Sequence, residues 1–320
     1  MAELQLGGKT IATQTGNEEA IMHSSLLRVA ARSQPNTPVK GDIYLDSTDN
    51  KLKIHNGTAF INMVSEPASG GIVTTYTLSG VTYQVHTFLQ SQSFILLIDK
   101  TVDILLVAGG GGGGRYSANG VGGGGAGGMV VGSNISILHG LYAINIGGGG
   151  AGYTSNTNGG KGSDSTIVLG SVDTVTAKGG GAGYYDNGSG HTNYANGGSA
   201  GGGGNNTTHN GVGTQDNQTL NSQTLTGHGN GSAAPANGGY GAGGGGAGGA
   251  GGNAAVTPQL GGVGLANNFR TGSNITYAAG GDSAGSTFRN GPANTGDGGT
   301  GGYATSGQGG SGICVIRYQI

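Results

Sequence analysis

The chain has 320 residues, 77 of them glycine and 6 proline, with no tryptophan, and its 13 basic and 15 acidic side chains leave a net charge of −2. Basic residues this scattered give no electrostatic footprint for a phosphate backbone, so nucleic acid is not an expected partner. The longest apolar runs, Phe94 to Ile98 and Ile104 to Ala108, fall far short of the ~20 residues that span a bilayer, and the single cysteine, Cys314, permits no intrachain disulfide.

At the start, Met1-Ala2-Glu3-Leu4 lacks the basic flank and apolar core of a secretory signal, so an external placement is expected to come by assembly into a particle inside a cell. Residues 1–65 have near-normal composition and carry 12 of the charges by Lys53. Asn17-Glu18-Glu19 predicts a short helix running toward Arg28 and Arg32, acidic in its first turn and basic in its last. Gly41 to Leu45, Lys51 to His55 and Thr58 to Ile61 alternate with period two and are separated by Asp46 to Asn50 and by Asn56-Gly57, which reads as an antiparallel meander. Some 60 residues of this kind bury too little apolar area to be comfortably stable alone. We therefore expect 1–65 to be an anchoring and oligomerisation module, associating with copies of itself, and 66–75 to be a Pro/Gly/Ser linker.

Residues 76–320 form the second region. Val81 to Leu89, Phe94 to Ile98 and Val102 to Val107 are rich in Val, Ile, Thr and aromatics and read as strands, as does the apolar end Ile313 to Ile320. That last strand needs a buried face, and the comparable strands all precede Gly109, so the two ends of the glycine-rich region are expected to pair. Between them glycine reaches 69 of the last 212 residues, against roughly 7% in ordinary proteins. Such composition suits a flexible linker, but β-branched strands interrupt it; collagen needs glycine strictly at every third position with abundant proline, and neither holds.

The tracts run from Gly109 to Gly114, Gly122 to Gly128 around Ala126, Gly147 to Gly150, Gly179 to Gly183, Gly201 to Gly204 and Gly241 to Gly252. Ala247, Ala250 and Asn253 fall three apart, the period of a polyproline-II-type helix that makes no internal hydrogen bonds. Unpaired buried amides cost about 1–3 kcal/mol each, so the segments must satisfy one another laterally. The fold class that follows is mostly β and irregular with little α-helix: a small N-terminal β module, then packed polyglycine-II-type helices closed by β-strands, making a stiff block without an apolar interior.

The turns between tracts carry the candidate contacts. Arg115 to Asn119, Tyr153 to Asn158, Tyr184 to Asn196, Asn205 to Asn237 and Asn267 to Tyr277 are rich in Tyr, Asn, Ser and Thr, a pairing of rigid amphipathic area with adaptable hydrogen bonding, and recognition resides on loops held by rigid scaffolds. Arg115, Tyr116, Tyr153, Tyr184, Tyr185, His191, Tyr194, His209 and His228 are the contact residues expected. Tyr184 and Tyr185 face opposite ways in an extended chain, so one of them can cover the bundle side. The histidine spacings match no metal motif, and Asp186 and Asp216 read as solvated charges. Val107 running into Gly109 to Gly114 lacks the helix that a dinucleotide turn requires. No metal, cofactor or catalytic residue is expected, and Cys314 reads as a small buried hydrophobe.

Tyr83 to Leu89, Val102 to Ala108 running into Gly109 to Gly114, and Gly309 to Tyr318 resemble the opening and closing segments of glycine-rich domains in phage tail adhesins, over about 76–320. Gly41 to Phe60 is similar to a short module of phage fibre proteins. The resemblance implies polyglycine helices in a sandwich, with receptor-binding loops at one end. The expected protein is then a non-enzymatic virion component on the outside of the particle, assembled in the host cytoplasm. It would be a tail-fibre or tip adhesin, trimeric and joined to another virion protein through 1–65, that binds a host surface protein or glycan. A capsid or tail decoration or head-fibre protein is the structural alternative, and a polysaccharide depolymerase, needing paired carboxylates in a groove, the enzymatic one.

Overall fold

The computed structural model describes residues 2–6, 9–14, 31–48, 52–62, 67–117, 120–169, 173–185, 192–204, 211–233, 241–252, 259–283 and 288–320. The chain divides into two compact units, Met1–Glu66 and Pro67–Ile320.

In the first unit, β1 (Ala2–Leu6) and β2 (Lys9–Gln14) form a hairpin. A second sheet holds β3 (Ala31–Arg32), β4 (Ile43–Asp46), β5 (Leu52–His55) and β6 (Phe60–Asn62) in that order. The β4–β5–β6 meander is the one expected. Gly57 takes φ +109° in its second turn, and Asn56 Oδ1 accepts the Thr58 and Ala59 amides at 2.9 Å, an Asx turn that reverses the chain. Most of the expected helix, 17–30, lies outside the described residues. Arg32, its basic end, sits in a strand parallel to Leu45–Asp46, because β4 offers backbone partners on that edge. Within the sheet Lys53 Nζ meets Asp46 Oδ2 at 2.5 Å, and this bond, with the Thr48 amide and the Tyr44 hydroxyl, holds the Asp46 carboxyl well below the usual carboxylate range.

The second unit begins earlier than the linker reading allows. β7 (Ala68–Ser69) and β8 (Ile72–Leu78) occupy most of 66–75. Gly70 and Gly71, at φ +115° and +66°, make the turn, and the β-branched run Ile72-Val73-Thr74-Thr75 pairs with the next strand. That strand is β9 (Val81–Phe88), followed by β10 (Gln92–Leu96), β11 (Lys100–Val107), β12 (Met129–Ile137), β13 (Gly140–Asn145), β14 (Ser165–Leu169) and β15 (Asp173–Ala177). A single turn of helix, α1 (Thr192–Ala195), precedes β16 (Gln218–Leu220), β17 (Gln223–His228), β18 (Leu265–Asn267), β19 (Ile275–Tyr277) and β20 (Ile313–Gln319).

The expected closure is present. β20 lies between β9 and β11, antiparallel to both, in a seven-stranded sheet ordered β16-β17-β12-β11-β20-β9-β8. A five-stranded sheet, β15-β14-β13-β10-β7, packs against one face. Alternation along β11 and β20 sends Val102, Ile104, Leu106, Cys314, Ile316 and Tyr318 into the space between the sheets with Phe88, Phe94 and Tyr142. Leu105, Val107, Ile313 and Val315 face the other way, under Phe269 and Tyr277 of the β18–β19 hairpin. The block therefore has an apolar interior after all, in two layers, and the expectation of none is corrected: the β-branched segments inside the glycine-rich region build a sandwich, and the glycine segments grow from its upper end. Cys314 is buried there as expected, and its surroundings raise the thiol pKa strongly.

Candidate functional site

The bundle is built by hydrogen bonds that rotate with a period of three. The amides of Gly109, Gly112 and Arg115 donate to Ser163, Gly160 and Thr157; those of Gly110, Gly113 and Tyr116 to Gly310, Gly307 and Gly302; those of Gly111 and Gly114 to Gly125 and Gly122. The next tract repeats the scheme: Gly122, Gly125 and Gly128 donate to Tyr184, Gly181 and Lys178, Gly123 and Ala126 to Ala242 and Gly245, Gly124 and Gly127 to Gly299 and Gly296. Each helix thus satisfies in its neighbours the amides that a polyproline-II-type backbone leaves free. None of the glycines 109–114 takes a positive φ; glycine is needed because a Cβ at Gly111 or Gly113 would lie 2.0 Å from the carbonyl oxygen of Gly181 or Thr300.

From Ala108 to Tyr116 such a helix climbs about 25 Å at ~3.1 Å per residue, and at its top three turns converge. Arg115 bridges Thr157 on one side and Gly302 on the other. Its Nε donates to the Ala304 carbonyl at 3.2 Å and its Nη1 to Asn156 Oδ1. The Tyr116 and Tyr185 rings lie 5.9 Å apart at 53°, and the Tyr185 amide donates to Asn158 Oδ1 at 3.0 Å. Tyr153 is tied to Ser306 by amide-to-hydroxyl and amide-to-carbonyl bonds of 2.9 and 3.0 Å. Tyr153 and Tyr303 are 39% and 38% exposed. Among the described residues of the turns 115–117, 153–157 and 302–305, Arg115 carries the single formal charge. The result is a surface of half-exposed phenol rings at the end that carries the Arg115 guanidinium, an arrangement suited to stacking and hydrogen bonding.

The expected contacts do not all gather there. Arg115, Tyr116, Tyr153 and Tyr185 share this end. Tyr184 is 1% exposed and is corrected to a bundle residue: its carbonyl accepts the Gly122 amide and its amide donates to Gly202, so its ring turns inward as its neighbour's turns out. Tyr194 is half-exposed on α1, where its carbonyl accepts the Ala182 amide. His228 ends β17 opposite Met129, at the sandwich end of the bundle, where burial lowers its pKa; it is not part of the tip. His191 and His209 lie outside the described residues. The loop reading of Asn267 to Tyr277 is also corrected, since that segment is the hairpin covering the sandwich, with Phe269 and Tyr277 buried. Tyr303 was missed, although Gly301-Gly302 before it is the same tract-to-turn signal that marks Tyr153. Among the described residues no three His, Cys, Asp or Glu side chains come together as metal ligands.

A family model described as a glycine-rich domain matches residues 91–319. No curated protein matches the chain.

Proposed function

The chain belongs to the glycine-rich domain family, and from that premise we propose that it is a phage virion protein, a tail-fibre or tip adhesin that binds a host surface receptor without catalysing a reaction. The observation that carries this reading is the polarity of the second unit. Its chain enters at Pro67, whose carbonyl accepts the Leu97 amide at the lower end of β10. The rings of Tyr116 and Tyr185 and the Arg115 guanidinium lie at the opposite end, beyond the sandwich and the full length of the glycine helices. Attachment at one end and recognition at the other is what a projecting adhesin needs. In this reading the first unit, through residues 1–65, joins the protein to another virion component and to copies of itself as a trimer, and the protein stands on the outer surface of the particle.

Phage carrying Tyr116→Ala and Tyr185→Ala together should assemble normally and adsorb to host cells at least ten times more slowly. Adsorption at the wild-type rate would overturn the assignment. Labelling residue 116 and imaging whole particles separates an adhesin, whose label projects outward, from a decoration protein, whose label lies against neighbouring subunits.

A further inference from the structure

β8 is an edge strand whose outer side is open. It pairs with β9 from Ile72↔Thr87 to Leu78↔Val81, and it ends the seven-stranded order, with no other partner among the described residues. The connecting turn is Ser79-Gly80, with φ +51° and +82°, the two-residue turn that makes its flanking residues, Leu78 and Val81, a hydrogen-bonded pair. Pairs alternate from there, so Tyr76, Thr74 and Ile72 spend their backbone groups on β9. Val73, Thr75 and Thr77 therefore point their amides and carbonyls outward.

Natural edges are blunted by charge, proline, bulges or brevity. β8 uses none of these: seven residues, Ile-Val-Thr-Thr-Tyr-Thr-Leu, uncharged and in unbroken register, with Ile72 and Val73 54% and 49% exposed. The strand also matches itself. Run antiparallel against its own copy about Thr75, it sets Val73 against Thr77, Thr75 against Thr75 and Thr77 against Val73. These become the hydrogen-bonded pairs, so this register closes every outward group of those residues on both chains. It also places Ile72 opposite Leu78 and Thr74 opposite Tyr76, with no charge in the seam.

We propose that β8 is an interface with a second copy of this chain, joining two seven-stranded sheets into one continuous sheet across a twofold axis at Thr75. The pairing brings chains together two at a time, whatever association residues 1–65 make, and it lies on the sandwich, so it stands or falls apart from receptor binding.

Two substitutions on the full chain test it. The Cα atoms of a hydrogen-bonded pair lie about 5.5 Å apart, within disulfide range. Thr75→Cys should therefore oxidise to a covalent dimer through residue 75, while Thr174→Cys, exposed on β15, should not; Cys314 is buried and does not compete. Thr75→Lys sets two ammonium groups face to face and should halve the native mass measured at micromolar concentration, with an unchanged circular-dichroism spectrum showing that the fold persists; its melting temperature falls only by what the lost association contributed. A Thr75→Cys chain that stays unlinked, or a Thr75→Lys chain with the wild-type mass, overturns the proposal.

Discussion

Arg317 stands directly opposite Asp103 across the β20–β11 pair, its Nε donating to Asp103 Oδ2 at 2.7 Å. The guanidinium carbon lies 4.5 Å from the Tyr83 ring centre and 4.2 Å from that of Phe269, and Nη1 donates to the Tyr76 hydroxyl. Asp103 Oδ1 also accepts the Asn134 amide at 2.9 Å. One largely buried cation thus ties β8, β9, β11, β20 and the covering hairpin together. Asp103→Asn should lower the unfolding free energy by about 3–5 kcal/mol, since it leaves that cation buried without a counter-charge. Pairing Asp103→Asn with Arg317→Met should recover part of the loss, because an apolar side chain of similar length fills the slot between the two rings. Urea melts of the three variants measure both effects; a double variant less stable than the single one would contradict the account.

The glycine bundle makes an opposite demand at two neighbouring tracts. A Cβ at Gly111 meets the Gly181 carbonyl oxygen at 2.0 Å, whereas one at Gly148 meets nothing within 4 Å. Gly111→Ala should cost about 3 kcal/mol or more, because the helices must separate and stretch several lateral bonds. Gly148→Ala should be neutral or slightly stabilising through the lost freedom of the unfolded chain. Thermal unfolding of the two purified variants distinguishes lateral crowding from a general intolerance of alanine.

Adjacent tyrosines should separate into stability and recognition. Tyr184→Ala empties a fully enclosed space and should destabilise by about 3–5 kcal/mol, as large aromatic truncations do. Tyr185→Ala, on the surface beside Tyr116, should leave the melting temperature within a degree or two and act on adsorption alone. Equal losses of stability at both positions would place both rings in the bundle.

Asp297 supplies a pH dependence. It lines a cleft of about 250 Å³ with Asp282 and Arg289, and burial raises its pKa, against the pull of the Ala279 amide that bonds Oδ1 at 2.9 Å. A raised carboxyl pKa means that the folded state binds its proton more tightly than the unfolded chain. The contribution is complete below the ordinary value of 3.8 and is lost as pH rises from there through the folded pKa. Asp297→Asn keeps an oxygen for the Ala279 amide and removes the titration, so the variant should lose this fall in stability with rising pH. Melting temperatures of both proteins from pH 3.5 to 7 check the sign.

Much of this was legible in local pattern. Val102 to Val107 and Ile313 to Tyr318 advertise two buried faces, and their pairing followed because an apolar terminal strand must have neighbours. The spacing of Ala247 and Ala250 gave the threefold period that the amides of Gly109, Gly112 and Arg115 display. Asn56-Gly57 gave a turn. Tyr116 and Tyr153 were legible as bundle-end residues because a tract must reverse where its glycines stop. The inward turn of Tyr184 was legible only as a choice between two adjacent rings.

The sequence by itself determined that the glycine segments are extended, that their amides must be satisfied sideways, and that strands close the domain, since these are requirements of each residue's own backbone and side chain. Only the tertiary structure decided which segment lies beside which, that Tyr185 rather than Tyr184 faces outward, that His228 belongs to the sandwich end, and that two apolar layers support the block. Glycine has no side chain with which to specify a neighbour, so lateral order in the bundle is set by the register of the strands that feed it, and that register is a relation between residues far apart in the chain.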